Sequence, residues 1–221
     1  MQSLRLHDQR EADELLILDI NAGREKRLIS TRILEKISEN LKIPVTVGGG
    51  ISSIETAKNY IFSGADKVCL NSHCMDNPII VEALASTLGA QAVVVKVDYV
   101  WHEGRPRIFD YRDKSLRNTD FMSYLQQIMQ AGCGELILSA VANDGTLGGF
   151  DTQILAYLDG HSLTVPLILS GGGGCPSDFA LAFATEAVSG LSASSIFAFS
   201  EHTPKTIRAF CSQKGIPMRR T

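Results

Sequence analysis

The stretch that decides the fold is VTVGGGISSIET, residues 45–56. A short apolar run ends in three glycines, and a helical pattern begins directly after Ser53. Glycines between a strand and a helix let backbone N–H groups approach an anion, and the helix N-terminus adds partial positive charge. The stretch therefore predicts a strand, a loop and a helix, in which the loop either binds phosphate or forms an ordinary tight turn.

A second stretch, LILSGGGGCPS at residues 167–177, repeats this pattern. Gly48 and Gly171 lie about 120 residues apart, as do Glu14 and Glu135. A repeat of this length corresponds to half of a barrel, with four strand–helix units in each half. The sequence predicts one incomplete TIM-barrel domain over 1–221, made of half-barrels at about 1–89 and 90–221.

Apolar runs and helical patterns alternate seven times along the chain, which predicts parallel strands joined by right-handed helical crossovers. A doubly wound sheet would also alternate in this way. Polar residues and glycines that follow the strands favour a (β/α)8 TIM barrel of the α/β class, whose sites lie at that end. The predicted strands cover 15–20, 44–47, 67–70, 92–97, 136–139, 167–169 and 188–191. The predicted helices cover 31–41, 54–62, 78–88, 119–131, 152–158, 176–184 and 203–214, with the end of another over 4–13 and a hairpin over 99–109.

The repeat places one strand–helix unit outside the printed sequence. The second half begins with the strand that ends at Asp98, and its counterpart in the first half would lie before residue 1. We therefore expect the first strand and most of the first helix of the barrel to be missing. The chain would then be truncated, start at an alternative position, or be completed by a partner.

Composition excludes several classes of protein. The net charge of −3 argues against general nucleic-acid binding, and no apolar stretch approaches the roughly 18 residues of a membrane helix. Five cysteines without a Cys-x-x-Cys pair indicate reduced thiols in a cytoplasmic protein. The five histidines show no metal-ligand spacing, so we expect no metal site.

The candidate catalytic and phosphate-binding residues lie at the ends of the predicted strands. Asp98 ends a buried strand and is the strongest acid/base candidate, with capping of the next loop as the structural alternative. The turn Asp144-Gly145-Thr146 is either structural or a phosphate contact. Ser194 and Ser195 open a short helical turn that could bind a second phosphate. One phosphate-type site in each half points to a substrate with a phosphate at each end.

Two groups of charged residues have simpler explanations. Glu14, Lys67 and Glu135 lie near the starts of strands, at the opposite end of the barrel, where salt bridges that stabilise the fold are the ordinary expectation. Basic residues cluster over 105–117 in the predicted hairpin. They form either a solvated face or a lid over an anionic substrate.

These residues resemble the cyclase subunit of imidazole glycerol phosphate synthase, the HisF family. The similarity extends over nearly the whole chain, through DELLILDI (13–20), TVGGGI (46–51), GADKV (64–68) with Asn71, QAVVV (91–95) with Asp98, GELIL (134–138) and DGT (144–146). A related phosphosugar isomerase of histidine synthesis shares the glycine loops, but the segments 67–72 and 91–98 are more similar to the cyclase.

The resemblance implies a (β/α)8 barrel that forms a heterodimer with a glutaminase subunit and needs no cofactor. It implies that ammonia from the glutaminase, bound at the N-terminal barrel face, is joined to a bis-phosphorylated ribulosyl aminoimidazole substrate. The products would be imidazole glycerol phosphate and an aminoimidazole carboxamide ribonucleotide, in histidine biosynthesis.

The resemblance also implies residue roles. Asp98 matches one of two acid/base aspartates, and Glu14, Lys67 and Glu135 match three of four residues that gate the ammonia entrance, which replaces the salt-bridge interpretation. The phosphate-binding residues are Gly50, Asn71 and Ser72 in the first half and Asp144, Gly145, Gly172, Ser194 and Ser195 in the second.

The sequence departs from the family at several positions. The second acid/base aspartate of the family ends the first strand, which we expect before residue 1. Ala142 and Asn143 replace an aspartate and an arginine that precede Asp144 in the family. Asn21 replaces a usual threonine. These departures keep two alternatives open: a cyclase-like paralogue that delivers ammonia to a sugar amidotransferase, and a non-catalytic protein derived from the barrel.

Overall fold

The computed structural model describes residues 9–25 and 27–219. Its strands are β1 (Leu15–Leu18), β2 (Val45–Gly48), β3 (Lys67–Leu70), β4 (Val93–His102), β5 (Arg105–Asp110), β6 (Ser115–Leu116), β7 (Glu135–Ala140), β8 (Leu167–Ser170) and β9 (Val188–Ser192).

The helices surround the strands. They are α1 (Ala22–Glu25), α2 (Thr31–Ser38), α3 (Ile54–Phe62), α4 (Ser72–Asp76), α5 (Ile79–Leu88), α6 (Phe121–Gln130), α7 (Gln153–Leu158), α8 (Pro176–Phe183), α9 (Ser195–Phe199) and α10 (Pro204–Gln213).

Seven parallel strands form one curved sheet in the order β1-β2-β3-β4-β7-β8-β9. Strand β4 continues beyond the sheet and pairs antiparallel with β5, which pairs with β6. This arrangement of a parallel sheet with helices around it is that of the (β/α)8 barrel class, and it confirms the fold predicted from the alternating pattern. The hairpin predicted around Glu103 and Gly104 is also confirmed, because both residues have positive φ and join β4 to β5.

Local differences from the predicted elements have identifiable causes. Strand β1 ends at Leu18, because the Asp19 carboxylate accepts the Asn21 N–H at 3.1 Å and turns the chain. The segment 21–25, expected as a loop, contains α1, and α4 was not predicted. Half of the helix end predicted over 4–13, namely residues 4–8, lies outside the described residues.

The two faces of the sheet pack into separate apolar layers. Side chains of the outward face, such as Val93, Val95 and Val97 of β4, are fully buried against the helices. The inward face forms a smaller cluster of Cys69, Val94 and Ile137, with Leu16, Leu18 and Ile168 packed against it. A strand covered on both faces reads as a continuous apolar run, which is why β4 shows little alternation in the sequence.

The two edges of the sheet are connected through the helix layer. Within residues 9–25 and 27–219, β1 pairs only with β2 and β9 pairs only with β8. The closing helix α10 lies beside the segment that precedes β1. Arg208 donates to the Glu11 carbonyl at 2.6 Å and to Asp13 at 3.1 Å, and the Lys205 N–H donates to the Arg10 carbonyl.

Candidate functional site

The carboxyl ends of the parallel strands carry a row of polar residues. The strand register places Asp98, Ser139, Ser170 and Ser192 side by side on β4, β7, β8 and β9. Asp98 is 1% exposed, and Ser139 is also buried. Because ligands of parallel barrels bind at this end, the row marks the mouth of the candidate site.

Both carboxylate oxygens of Asp98 have donors from neighbouring inward-facing residues. The Asn71 side-chain N–H group donates to Oδ2 at 2.5 Å, and the Lys96 ammonium pairs with Oδ1. The Asn71 side-chain oxygen is buried and has no hydrogen-bond partner among the described residues. The structure therefore joins two predicted site residues, Asp98 and Asn71. Sequence reasoning missed Lys96.

The first glycine loop is closely packed against the loop after β1. A Cβ atom on Gly48 would lie 2.6 Å from Leu18 and 2.7 Å from the Cys69 carbonyl oxygen. Gly50 has φ +70°, and a Cβ there would lie 2.5 Å from the Arg27 carbonyl oxygen. Ser72 begins α4, directly after Asn71. The loop's glycines are thus required by neighbouring backbone, and phosphate binding by Gly50, Asn71 and Ser72 stays a prediction.

The second glycine loop packs against the turn that contains Asp144 and Gly145. Gly172 has φ +98°, its carbonyl accepts the Gly149 N–H at 2.8 Å, and a Cβ on it would lie 2.1 Å from the Gly149 oxygen. A Cβ on Gly171 would lie 3.4 Å from Asp144, whereas Gly145 has open space beside it. The structure places the buried Gly172 against the turn whose exposed part contains Asp144 and Gly145, and their phosphate binding stays a prediction.

The remaining residues predicted for the second phosphate lie at the start of α9. Ser194 is the N-cap residue, its side chain makes no capping hydrogen bond, and Ser195 is the first helical residue. Both follow Ser192, the β9 member of the row at the mouth. Their phosphate role stays a prediction.

The hairpin beyond β4 is held by buried ion pairs. Asp110 is fully buried, and it accepts from Arg112 at 2.7 Å and from Arg117. Arg112 also pairs with Asp76, the last residue of α4. Burial alone would raise the pKa of Asp110, but hydrogen bonds from Arg112, including its backbone N–H, and from Arg117 outweigh that effect and lower the pKa to about 2.

The guanidinium groups of Arg112 and Arg117 are thus both bound to carboxylates and only partly exposed, and the lid over an anionic substrate stays a prediction. The hairpin also brings Tyr111 towards the mouth. Burial, followed by the negative charges of Asp98 and Asp144, raises the pKa of the Tyr111 phenol to about 12.

The three residues predicted at the other end of the barrel are in direct contact. The Lys67 ammonium donates to Glu14 Oε2 at 2.8 Å and to Glu135 Oε1 at 2.6 Å, and the buried Thr46 hydroxyl donates to Glu14 Oε1. Burial would lower the pKa of Lys67, but the hydrogen bonds from its ammonium to Glu135 and Glu14 raise it above the usual 10.5. We call this group the Glu14–Lys67–Glu135 cluster.

Strand geometry gives the separation of the two ends. Val94 is level with Glu135, and Asp98 lies four residues further along β4. At about 3.3 Å per residue, the cluster and the mouth are roughly 13 Å apart along the barrel interior.

No group of three or more His, Cys, Asp or Glu side chains suited to a metal ion occurs in the described part of the chain. Over the same residues, no helix has both the length and the apolar composition needed to cross a bilayer.

Comparison with known proteins gives the family. The sequence model of the family described as "Histidine biosynthesis protein" matches residues 1–203. The chain belongs to this family.

Three curated relatives of this chain are each named imidazole glycerol phosphate synthase subunit HisF. The protein of Thermococcus onnurineus is 34% identical over 215 residues, which cover 97% of this chain and 84% of the relative. The protein of Lactiplantibacillus plantarum is 35% identical, with 96% and 85% covered. The protein of Chloroherpeton thalassium is 34% identical, with 99% and 87% covered. The family predicted from the motifs is therefore confirmed.

Proposed function

We propose that this chain is the cyclase subunit of imidazole glycerol phosphate synthase in histidine biosynthesis. It joins ammonia to a bis-phosphorylated ribulosyl aminoimidazole substrate and releases imidazole glycerol phosphate and an aminoimidazole carboxamide ribonucleotide. Similarity to named HisF subunits across nearly the whole chain supports this role.

The observation that carries the proposal is the position of Asp98. A carboxylate that is 1% exposed, at the mouth of a parallel barrel, can take or deliver a proton where water is largely excluded. The two glycine loops lie at the same end, one in each half of the chain, and suit a substrate with two phosphates. Asp98 is the acid/base group, and the loops orient the substrate over it.

The glutaminase partner binds at the opposite, N-terminal face in this proposal. The Glu14–Lys67–Glu135 cluster lies at that face and forms the ammonia entrance. A path of roughly 13 Å through the barrel interior then leads from the cluster to Asp98. The compartment we propose is the cytoplasm, because all five cysteines are free thiols and four of them are buried.

The test is turnover by the purified chain together with a glutaminase partner. We expect formation of imidazole glycerol phosphate from glutamine and the bis-phosphorylated substrate. Asp98→Asn should reduce kcat by at least about a hundredfold, because an amide cannot take the proton. Asp159→Asn, which changes an exposed aspartate in the loop after α7, is the matched control and should retain wild-type turnover. Unchanged activity of Asp98→Asn would remove Asp98 from the chemistry.

A second candidate function is delivery of ammonia to a sugar amidotransferase. Ala142 and Asn143 favour it, because the family's aspartate and arginine are absent there, while the Glu14–Lys67–Glu135 cluster is intact. The Asn143 side chain instead donates to the Gly149 carbonyl at 3.0 Å and fixes the turn. Formation of imidazole glycerol phosphate at ordinary cyclase rates would exclude this role. Its absence, with glutaminase activity retained, would support it.

A further inference from the structure

Lys96 has its charged group inside the barrel. Along β4, Val93, Val95 and Val97 face the helices, so alternation turns Val94, Lys96 and Asp98 to the interior. The Lys96 side chain is 13% exposed. It therefore lies between the level of the Glu14–Lys67–Glu135 cluster and the mouth.

Asp98 provides the counter-charge of this lysine. The Lys96 ammonium pairs with Asp98 Oδ1. Its level in the strand register is that of Ile137 and Ile168, which are apolar. Cys69 also lies nearby, but burial raises the pKa of its thiol to about 12 in spite of the positive charge of Lys96, so the thiol stays neutral.

An ion pair in this position is costly compared with an apolar filling. Removing two charges from water is unfavourable for each ion, and replacement of a buried pair by hydrophobic residues is often neutral or stabilising. An apolar residue at position 96 would therefore fill the same space, as Val94 does at the preceding inward-facing position of β4. The charge of Lys96 requires a different explanation.

We propose that Lys96 is a positioning residue for Asp98. Its ammonium holds Oδ1 from inside the barrel while Asn71 holds Oδ2 from the side, so the carboxylate is fixed in one orientation with its remaining lone pairs directed to the mouth. The terminal torsion of an aspartate is otherwise broad. This inference rests on the proposed function, because it assigns Lys96 to the same acid/base step.

The test compares variants of Lys96 in the complex with the glutaminase partner. Lys96→Met is also combined with Asp98→Asn in a double-mutant cycle. Lys96→Met keeps the length and removes the charge and the donors. We expect it to lower kcat about tenfold or more, with KM for the bis-phosphorylated substrate changed less than about twofold, because Lys96 contacts Asp98 from the barrel interior. Lys96→Arg, which keeps charge and donors, should recover part of kcat. Lys58→Met, on an exposed lysine of α3, is the control and should match the wild type.

The cycle separates positioning from general damage. In the Asp98→Asn background, Lys96→Met should cause no further loss of kcat, because the group it acts through is already gone. Wild-type kcat in Lys96→Met, or an equal loss in both backgrounds, would overturn the inference. If Lys96→Met does not fold, Lys96→Gln takes its place in the cycle.

Urea unfolding of the same variants keeps this inference distinct from the proposed function. Each single substitution leaves one buried charge unpaired, so the unfolding midpoint should fall in both and be partly regained in the double variant. If the wild type makes no imidazole glycerol phosphate, the proposed function fails, and this second cycle still decides whether Lys96 holds Asp98. Additive losses in the unfolding cycle would refute the pairing.

Discussion

At the scale of single residues, Gly172 shows how tightly the second phosphate-type loop is built. A Cβ on Gly172 would lie 2.1 Å from the Gly149 carbonyl oxygen, and its φ of +98° is unfavourable for any L side chain. We expect Gly172→Ala to lower the free energy of unfolding by about 2 kcal/mol or more, because backbone must move. Gly160→Ala is the matched control: φ is +80° but the space is open, so only about 1 kcal/mol should be lost. Urea unfolding measures both, and equal losses would contradict the clash.

Single residues also show what sequence reasoning can and cannot find. Asp98 could be predicted because it ends an apolar run, the position at which barrels place their chemistry. Lys96, two residues earlier, was missed, since a strand buried on both faces does not reveal which side chains turn inwards. Asn71 was predicted only as a phosphate ligand. Its hydrogen bond to Asp98 depends on the pairing of β3 with β4, which cannot be read from the sequence.

At the scale of elements, the hairpin of β4 and β5 is attached to α4 through Arg112, which pairs with both Asp110 and Asp76. The sequence predicted the hairpin from Glu103 and Gly104, but its attachment joins residues more than 30 positions apart, and local patterns carry no such information. The residues that flank Asp76 and Asp110 in the sequence carry no pattern that predicts an ion pair. Their contacts with Arg112 are therefore seen only in the folded chain.

These ion pairs predict a pH dependence. The pKa of Asp110 is about 2 in the fold against 3.8 for an unperturbed aspartate, so the carboxylate stabilises the folded state above about pH 4. This stabilisation, about 2 kcal/mol, is lost as the pH falls through the folded-state pKa, with about half lost at pH 3. Asp110→Asn should therefore be less stable than the wild type by about 2 to 4 kcal/mol at pH 7. At pH 3 this difference in the free energy of unfolding should be smaller by about 1 kcal/mol.

Urea unfolding at the two pH values measures this difference, with Asp159→Asn as the control for loss of an exposed carboxylate. A gap between Asp110→Asn and the wild type that does not change with pH would mean that the ion pairs contribute no titratable stability. The hairpin would then be held by its apolar contacts.

At the scale of the whole molecule, the two ends of the barrel carry different chemistry on the same strands. Two strands lead from a charged residue at the N-terminal end to a polar one at the mouth: β3 from Lys67 to Asn71, and β7 from Glu135 to Ser139. The apolar side chains of Cys69, Ile137 and Ile168 lie between them, with the Lys96 side chain, paired with Asp98, at the level of Ile137. A neutral small molecule such as ammonia can cross an apolar layer far more easily than an ion can. The distribution of charge therefore suits a barrel that receives ammonia at one end and uses it at the other.

This division predicts that the two ends can be uncoupled. Lys67→Met removes the cation that joins Glu14 and Glu135, so the two carboxylates should repel each other and widen or distort the entrance. We expect glutamine-dependent formation of imidazole glycerol phosphate to fall about tenfold, because ammonia released by the partner escapes instead of entering at high local concentration. Turnover with an added ammonium salt should stay within about twofold of the wild type, since Asp98 and the glycine loops are unchanged.

The ratio of the two activities is the measurement, and it is independent of the amount of active protein. Lys58→Met, which changes an exposed lysine on α3, should leave the ratio at its wild-type value. An equal fall in both activities for Lys67→Met would show that the cluster supports the fold rather than the passage of ammonia. An unchanged ratio with full activity would show that ammonia enters elsewhere, and the glutaminase would then have to bind away from the Glu14–Lys67–Glu135 cluster.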